Sequence, residues 1–81
     1  MYAINLSDMT KHKGNMALCM LLSGVISETI NSCETGKIDG SGVVLECEED
    51  RGQAIIDVIR LSLGKNDLRC YKLDGKRWER V

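Results

Sequence analysis

Nucleophilic catalysis needs a thiol or hydroxyl next to a base, and the only histidine in this chain is His12. It falls in the polar stretch Ser7 to Gly14, between Lys11 and Lys13, where a solvated imidazole is a better reading than a catalytic base. Cysteines stand at positions 19, 33, 47 and 70, each inside or beside an apolar segment, and no Cys-x-x-Cys occurs. A zinc site would have to gather its ligands from distant points of the chain, and a disulfide framework suits chains with too little core. Reduced thiols acting as small buried hydrophobes fit this spacing best, so a thiol count in denaturant without reductant is expected to find all four. The carboxylates Glu46, Glu48, Glu49 and Asp50 could attract a hard cation, but they lack the ligand spacing of a calcium loop. A solvated acidic edge that complements a helix dipole is the preferred reading. Gly36, Gly40 and Gly42 come before a β-prone run, whereas phosphate-binding glycines follow a strand and open a helix. No cofactor, no metal and no enzymatic activity are therefore expected.

What remains is binding, and the charges bear on the kind. The 81 residues carry a formal net charge of −1, which excludes tight non-specific nucleic-acid binding through net charge. Locally the balance is uneven. From Glu28 to Asp50 there are seven acidic residues and one basic, Lys37, whereas from Lys65 to Val81 there are six basic and three acidic. Such asymmetry steers association with a complementary surface. A hydrophobic content of 43% with no proline and no repeat describes one small globular domain over residues 1–81. The apolar run Met16 to Ile26 is too short to span a bilayer, and Asp8 before it and the missing cleavage site argue against a secretory signal. A cytoplasmic protein is expected.

The elements that would position these residues follow from periodicity. Tyr2, Ile4 and Leu6 alternate as in a half-buried edge strand. Asn15 offers an N-cap to an amphipathic helix whose apolar residues Leu18, Leu21, Leu22, Val25, Ile26, Ile30 and Cys33 recur at spacings of three and four. Gly36 would close it. Val43 to Glu48 is β-prone, and a second helix is expected from about Arg51 to Leu63, with Ile55, Val58, Ile59 and Ser62 inward, Ile56 and Leu63 widening that face and Gly64 at its end. Asp74-Gly75 between two β-prone runs predicts a hairpin with those two residues at the turn, which sets Tyr71 opposite Trp78 and Leu73 opposite Lys76. The order β-α-β-α-β-β implies an α+β fold, two helices packed on one face of a small, mostly antiparallel sheet. The long apolar stripe of the first helix, with Ser23, Gly24 and Ser27 small enough for close approach, suggests a homodimer through that helix or an exposed sheet edge.

In the hairpin, Arg and aromatic side chains interleave, a composition enriched both at protein hot spots and on single-stranded nucleic-acid platforms. Lys72, Lys76, Arg77, Trp78 and Arg80 are the candidate partner-binding residues. Tyr71 and Trp78 could instead face the helices and complete a core that has no Phe.

The run Tyr71-Lys72-Leu73-Asp74-Gly75-Lys76-Arg77-Trp78 resembles the closing hairpin of small phage-encoded anti-CRISPR proteins that act on type I surveillance complexes, where a Tyr-Lys-x-Asp-Gly-Lys-Arg-Trp ending also occurs. The match covers about a tenth of the chain. The order strand, helix, strand, Asp-Gly turn, strand from Val43 to Val81 is compatible with such proteins, and the long N-terminal helix departs from them. The resemblance implies a non-enzymatic inhibitor that docks on a basic, nucleic-acid-binding or partner-binding surface of a bacterial defence complex. The expectation is thus a non-catalytic binding protein, encoded by a phage or mobile element, that inhibits or modulates a host protein or ribonucleoprotein complex by protein–protein contact. The alternative is a nucleic-acid-binding module that uses the basic hairpin.

Overall fold

A computed structural model describes residues 1–31, 38, 40–64 and 66–81. Cys33, Gly36, Lys37 and Lys65 lie outside the described residues. The chain runs β1 (Tyr2–Asn5), α1 (Leu6–Lys11), α2 (Met16–Leu22), β2 (Ile26–Asn31), β3 (Ser41–Leu45), α3 (Glu49–Leu63), β4 (Cys70–Asp74) and β5 (Arg77–Arg80). The strands form one sheet in the order β2-β3-β1-β4-β5, with every pair antiparallel. This is the expected α+β class, with helices packed on one face of a small antiparallel sheet. No helix among the described residues is long and apolar enough to cross a membrane.

Three elements differ from the sequence reading. The first strand is central rather than an edge, and Tyr2, Ala3, Ile4 and Asn5 are all buried between β3 and β4. The stretch expected as a loop from Ser7 contains α1. Asn5 caps it by accepting a hydrogen bond from the Asp8 backbone N–H at 3.1 Å, an Asx cap that the run Asn-Leu-Ser-Asp encodes. The long helix expected from Asn15 stops at Leu22, although Asn15 does cap it, accepting from the Leu18 N–H at 3.1 Å. Gly24 turns the chain at φ +78°, and after Val25 the β-branched Ile26, Thr29 and Ile30 continue as β2 along the edge of β3. Apolar spacing alone could not separate the two outcomes, because Val25, Ile26 and Ile30 suit a helix stripe as well as a strand.

The centre of the sheet is buried on both faces, while the edge strand β2 is largely exposed. On the helix side Tyr2, Ile4, Val43, Leu45 and Cys70 pack against Leu18 and Leu22 of α2, Ile55, Ile56 and Ile59 of α3, and Leu6 and Met9 of α1. Each such side chain contributes about 1.5–3 kcal/mol by leaving water. On the other side Ala3, Val44, Tyr71 and Trp78 form a second cluster with Ile38, flanked by Ile30 and Leu73. The expected inward face of α3 is shifted: Gly52, Ile55, Ile56 and Ile59 are buried, while Val58 and Ser62 are exposed.

Two contacts lock the layers. A Cβ built on Gly52 would lie 2.5 Å from Cδ2 of Tyr2, so α3 rides directly over that ring only because residue 52 has no side chain. The Tyr2 hydroxyl then donates to Gln53 Oε1 at 2.8 Å. At the other end of β1, the buried Asp8 carboxylate accepts from Arg69 three times, from the backbone N–H at 3.0 Å, Nε at 2.7 Å and Nη2 at 3.2 Å. Burial alone would raise the Asp8 pKa, but these bonds and the Arg69 charge outweigh it and hold the carboxyl below its ordinary value.

Replacing Gly52 by alanine should therefore destabilise the protein. The gain in helix propensity is about 1 kcal/mol, whereas overpacking against a buried ring costs about 1–3 kcal/mol and the ring must move. Urea denaturation checks this, and an unchanged or higher midpoint would contradict the contact. Because the folded Asp8 pKa is depressed, its stabilisation is fully present well above 3.8 and disappears as pH falls through the lower native value. Asp8→Asn should cost about 3 kcal/mol at pH 7, as expected for breaking a buried charge pair. It should also flatten the acid limb of the stability profile measured by denaturation from pH 6 down.

Candidate protein-contact surface

The hairpin turn is one residue later than expected. Asp74 pairs with Arg77 and Leu73 with Trp78, so the two turn residues are Gly75 and Lys76. Gly75 has φ +62° and no non-glycine residue among the described residues has positive φ, which is the type II′ pattern with glycine first. The slip pairs Tyr71 with Arg80 rather than with Trp78, and Lys72 with Glu79. Tyr71 and Trp78 are both core residues, 1% and 3% exposed, but of the cluster on the face away from the helices. The Tyr71 hydroxyl is buried with no hydrogen-bond partner among the described residues.

The five candidate residues consequently separate. Lys72 lies on the helix side, where Nζ reaches Glu49 Oε1 of α3 at 3.0 Å and sits 5.8 Å from the centre of the Tyr2 ring. That hydrogen bond and charge raise the Lys72 pKa and lower that of Glu49. Trp78 is an anchor rather than a surface. Lys76 and Arg77 are exposed at the turn and have no carboxylate partner among the described residues. Arg80 is exposed and donates from Nη2 to Asn66 Oδ1 at 3.2 Å. β2, which carries Glu28, and β5, which carries Arg77 and Arg80, are opposite edges of the sheet, but the acidic and basic stretches are not separated throughout, since Glu49 meets Lys72.

A second surface was not legible in the sequence, because it depends on where α2 ends. Every residue of α2, Met16-Ala17-Leu18-Cys19-Met20-Leu21-Leu22, is apolar, yet only Leu18 and Leu22 are buried. A helix apolar on all sides is ordinarily enclosed. Here Met16 and Met20 remain 76% and 75% exposed. An open groove of about 390 Å³ runs between α1, α2 and the start of β2, lined by Met9, Leu18, Leu22 and Ile26 together with His12 and Lys13. His12 is the C-cap of α1, with Nε2 3.2 Å from the Asp67 carbonyl oxygen, and not a residue of an open loop.

The described residues hold no group of three or more His, Cys, Asp or Glu arranged to bind a metal ion. The acidic residues Glu46 and Glu48 lie beyond β3 and Glu49 and Asp50 form the first turn of α3. No protein-family model matches the chain, and no curated protein and no solved structure matches it either.

The cysteines are not equivalent, contrary to the expectation that all are core thiols. Cys19 is exposed on α2, Cys47 is half-buried and Cys70 is buried, and all three are free. Burial pushes the Cys70 thiol up to about 11, so it holds little of the reactive thiolate. At pH 8 in the folded state, a thiol reagent should label Cys19 rapidly and Cys70 only after denaturant is added. Peptide mapping of the labelled protein checks the order, and rapid native labelling of Cys70 would contradict it.

Proposed function

We propose that this chain is a small non-catalytic binding protein that acts by protein–protein contact, with the tip of the β4–β5 hairpin as its contact to an anionic surface of a larger complex. The observation that carries this reading is the state of the hairpin cations. Lys72 is neutralised by Glu49, whereas Lys76 on the two-residue turn and Arg77 at the start of β5 stand exposed with no ion-pair partner among the described residues. The strands below that turn are held by the buried Trp78 and Tyr71. Two like charges fixed this close repel each other, and an anionic partner offsets the repulsion. A rigid turn also loses little entropy on docking.

The likeness of Tyr71–Trp78 to the closing hairpin of anti-CRISPR proteins supports a bacterial defence complex as the target and a phage or mobile element as the source, although the basic docking surface it implies does not suit the cationic tip, for which an anionic surface of that complex is the complement. In this fold, however, both aromatics of that run serve the core, which leaves Lys76, Arg77 and Arg80 as the contacting part. A nucleic-acid platform is less well supported, since such platforms stack bases on exposed aromatic rings and the hairpin rings are buried.

The double variant Lys76→Glu/Arg77→Glu should fold normally, with a stability change of about 0.5 kcal/mol or less, because both side chains are exposed. It should lose at least tenfold in affinity for the complex retained by the parent protein from bacterial lysate. Equal retention would exclude the hairpin tip as the contact. Retention of nucleic acid alone, with log affinity falling linearly in log salt, would replace protein contact by phosphate binding.

A further inference from the structure

We infer that the helix layer is an interface between two copies of this chain, in which the outer stripe of α3 from one copy lies in the groove beside α2 of the other. The two surfaces complement each other in charge, and both carry apolar side chains. On α3, Asp50, Ala54, Asp57 and Leu61 follow one another at intervals of four, three and four residues, so they form a single stripe along the helix. All four are exposed, and Val58 flanks them. The stripe points away from the face that Gly52, Ile55, Ile56 and Ile59 bury against the sheet. It contains two carboxylates and no cation. At its far end Leu61 is 87% exposed, the most exposed large apolar side chain among the described residues.

The groove offers the opposite pattern. Met9, Leu18, Leu22 and Ile26 line it together with Lys13 and His12, and no carboxylate is among its lining residues. Met16 and Met20 extend the apolar surface outward along α2. Methionine is suited to this role, since its unbranched, polarizable side chain adapts to an inserted helix. A leucine entering the groove would bury both itself and the apolar lining. Asp57, one turn before Leu61, would then approach Lys13. Because groove and stripe belong to one layer, with α2 and α3 adjacent along the seam formed by Ala17, Leu21, Ile59, Ser62 and Leu63, a two-fold axis can make the contact twice in one closed dimer. The homodimer expected from a long first helix thus rests on different residues, since that helix ends at Leu22.

Sedimentation equilibrium of the full chain over micromolar to millimolar concentrations tests the proposal, with circular dichroism to confirm folding. The parent should reach twice the 9.0 kDa chain mass. Leu61→Glu and Met20→Glu each change an exposed residue and should raise the dimer dissociation constant at least tenfold while the spectrum is unchanged. Asp57→Lys should weaken the dimer several-fold, and adding Lys13→Asp to it should restore most of the loss. Lys76→Glu/Arg77→Glu serves as the control that leaves the mass intact, which separates this interface from the hairpin contact. A parent mass of 9.0 kDa at every concentration overturns the proposal and leaves the groove to a foreign segment. A dimer that Leu61→Glu does not weaken, or a charge exchange that restores nothing, overturns it equally.

Discussion

The arrangement of this protein depends on α3 lying flat across the Tyr2 ring, and that is possible because residue 52 is glycine. Any Cβ at that position would stand 2.5 Å from the ring. A helix held further away would leave Tyr2, Leu45 and Ile56 incompletely covered, and dispersion attraction falls off within fractions of an ångström. The close approach also lets the Tyr2 hydroxyl end on Gln53 rather than remain buried without a partner. The glycine costs about 1 kcal/mol of helix propensity, and the packing it permits exceeds that cost.

With β1 pinned in this way, the rest of the sheet is built outward from it. Asp8 and Arg69 tie α1 to the residue before β4, while Lys72 and Glu49 tie β4 to the first turn of α3. The hairpin is therefore fastened on the helix side by charge and on the opposite side by Tyr71 and Trp78, which pack with Ala3, Val44 and Ile38. A tip supported on both faces can present Lys76 and Arg77 in a fixed geometry. The helix layer is covered less completely. α2 supplies Leu18 and Leu22 to the core and leaves its other apolar residues outside, so the protein has one strongly held face and one face with unspent apolar surface.

Much of this was legible in local signals with a single physical meaning. Asn15 as a cap, Glu49 and Asp50 beside the amino end of a helix, Gly64 after its end and a tight hairpin near Asp74-Gly75 all reflect backbone hydrogen bonds and dihedral preferences that a few neighbouring residues decide. The errors arose where local signals compete. Asp-Gly can fill the two central turn positions, but Gly-Lys can do so as well with glycine first, and the choice changes the pairing by one register position. Packing chose the second, since it sets Leu73 directly opposite Trp78 in the cluster with Tyr71. The helix expected through Cys33 failed for a related reason. Gly24 is tolerable in a helix and also able to reverse the chain, and the free edge of β3 favoured the reversal.

The sequence by itself determined the α+β class, the number and sign of the charges at each end, the caps and the hairpin, because these depend on residue type, on short-range periodicity and on hydrogen bonds closed within a few residues. Only the tertiary structure decided which strand is central, which face Tyr71 and Trp78 occupy, which lysine is neutralised and which apolar residues of α2 and α3 stay outside. Those outcomes depend on contacts between residues 50 to 61 positions apart, such as Tyr2 with Gly52 and Gln53, and Asp8 with Arg69. Such contacts are selected by the fit of whole layers, which no window of neighbouring residues contains.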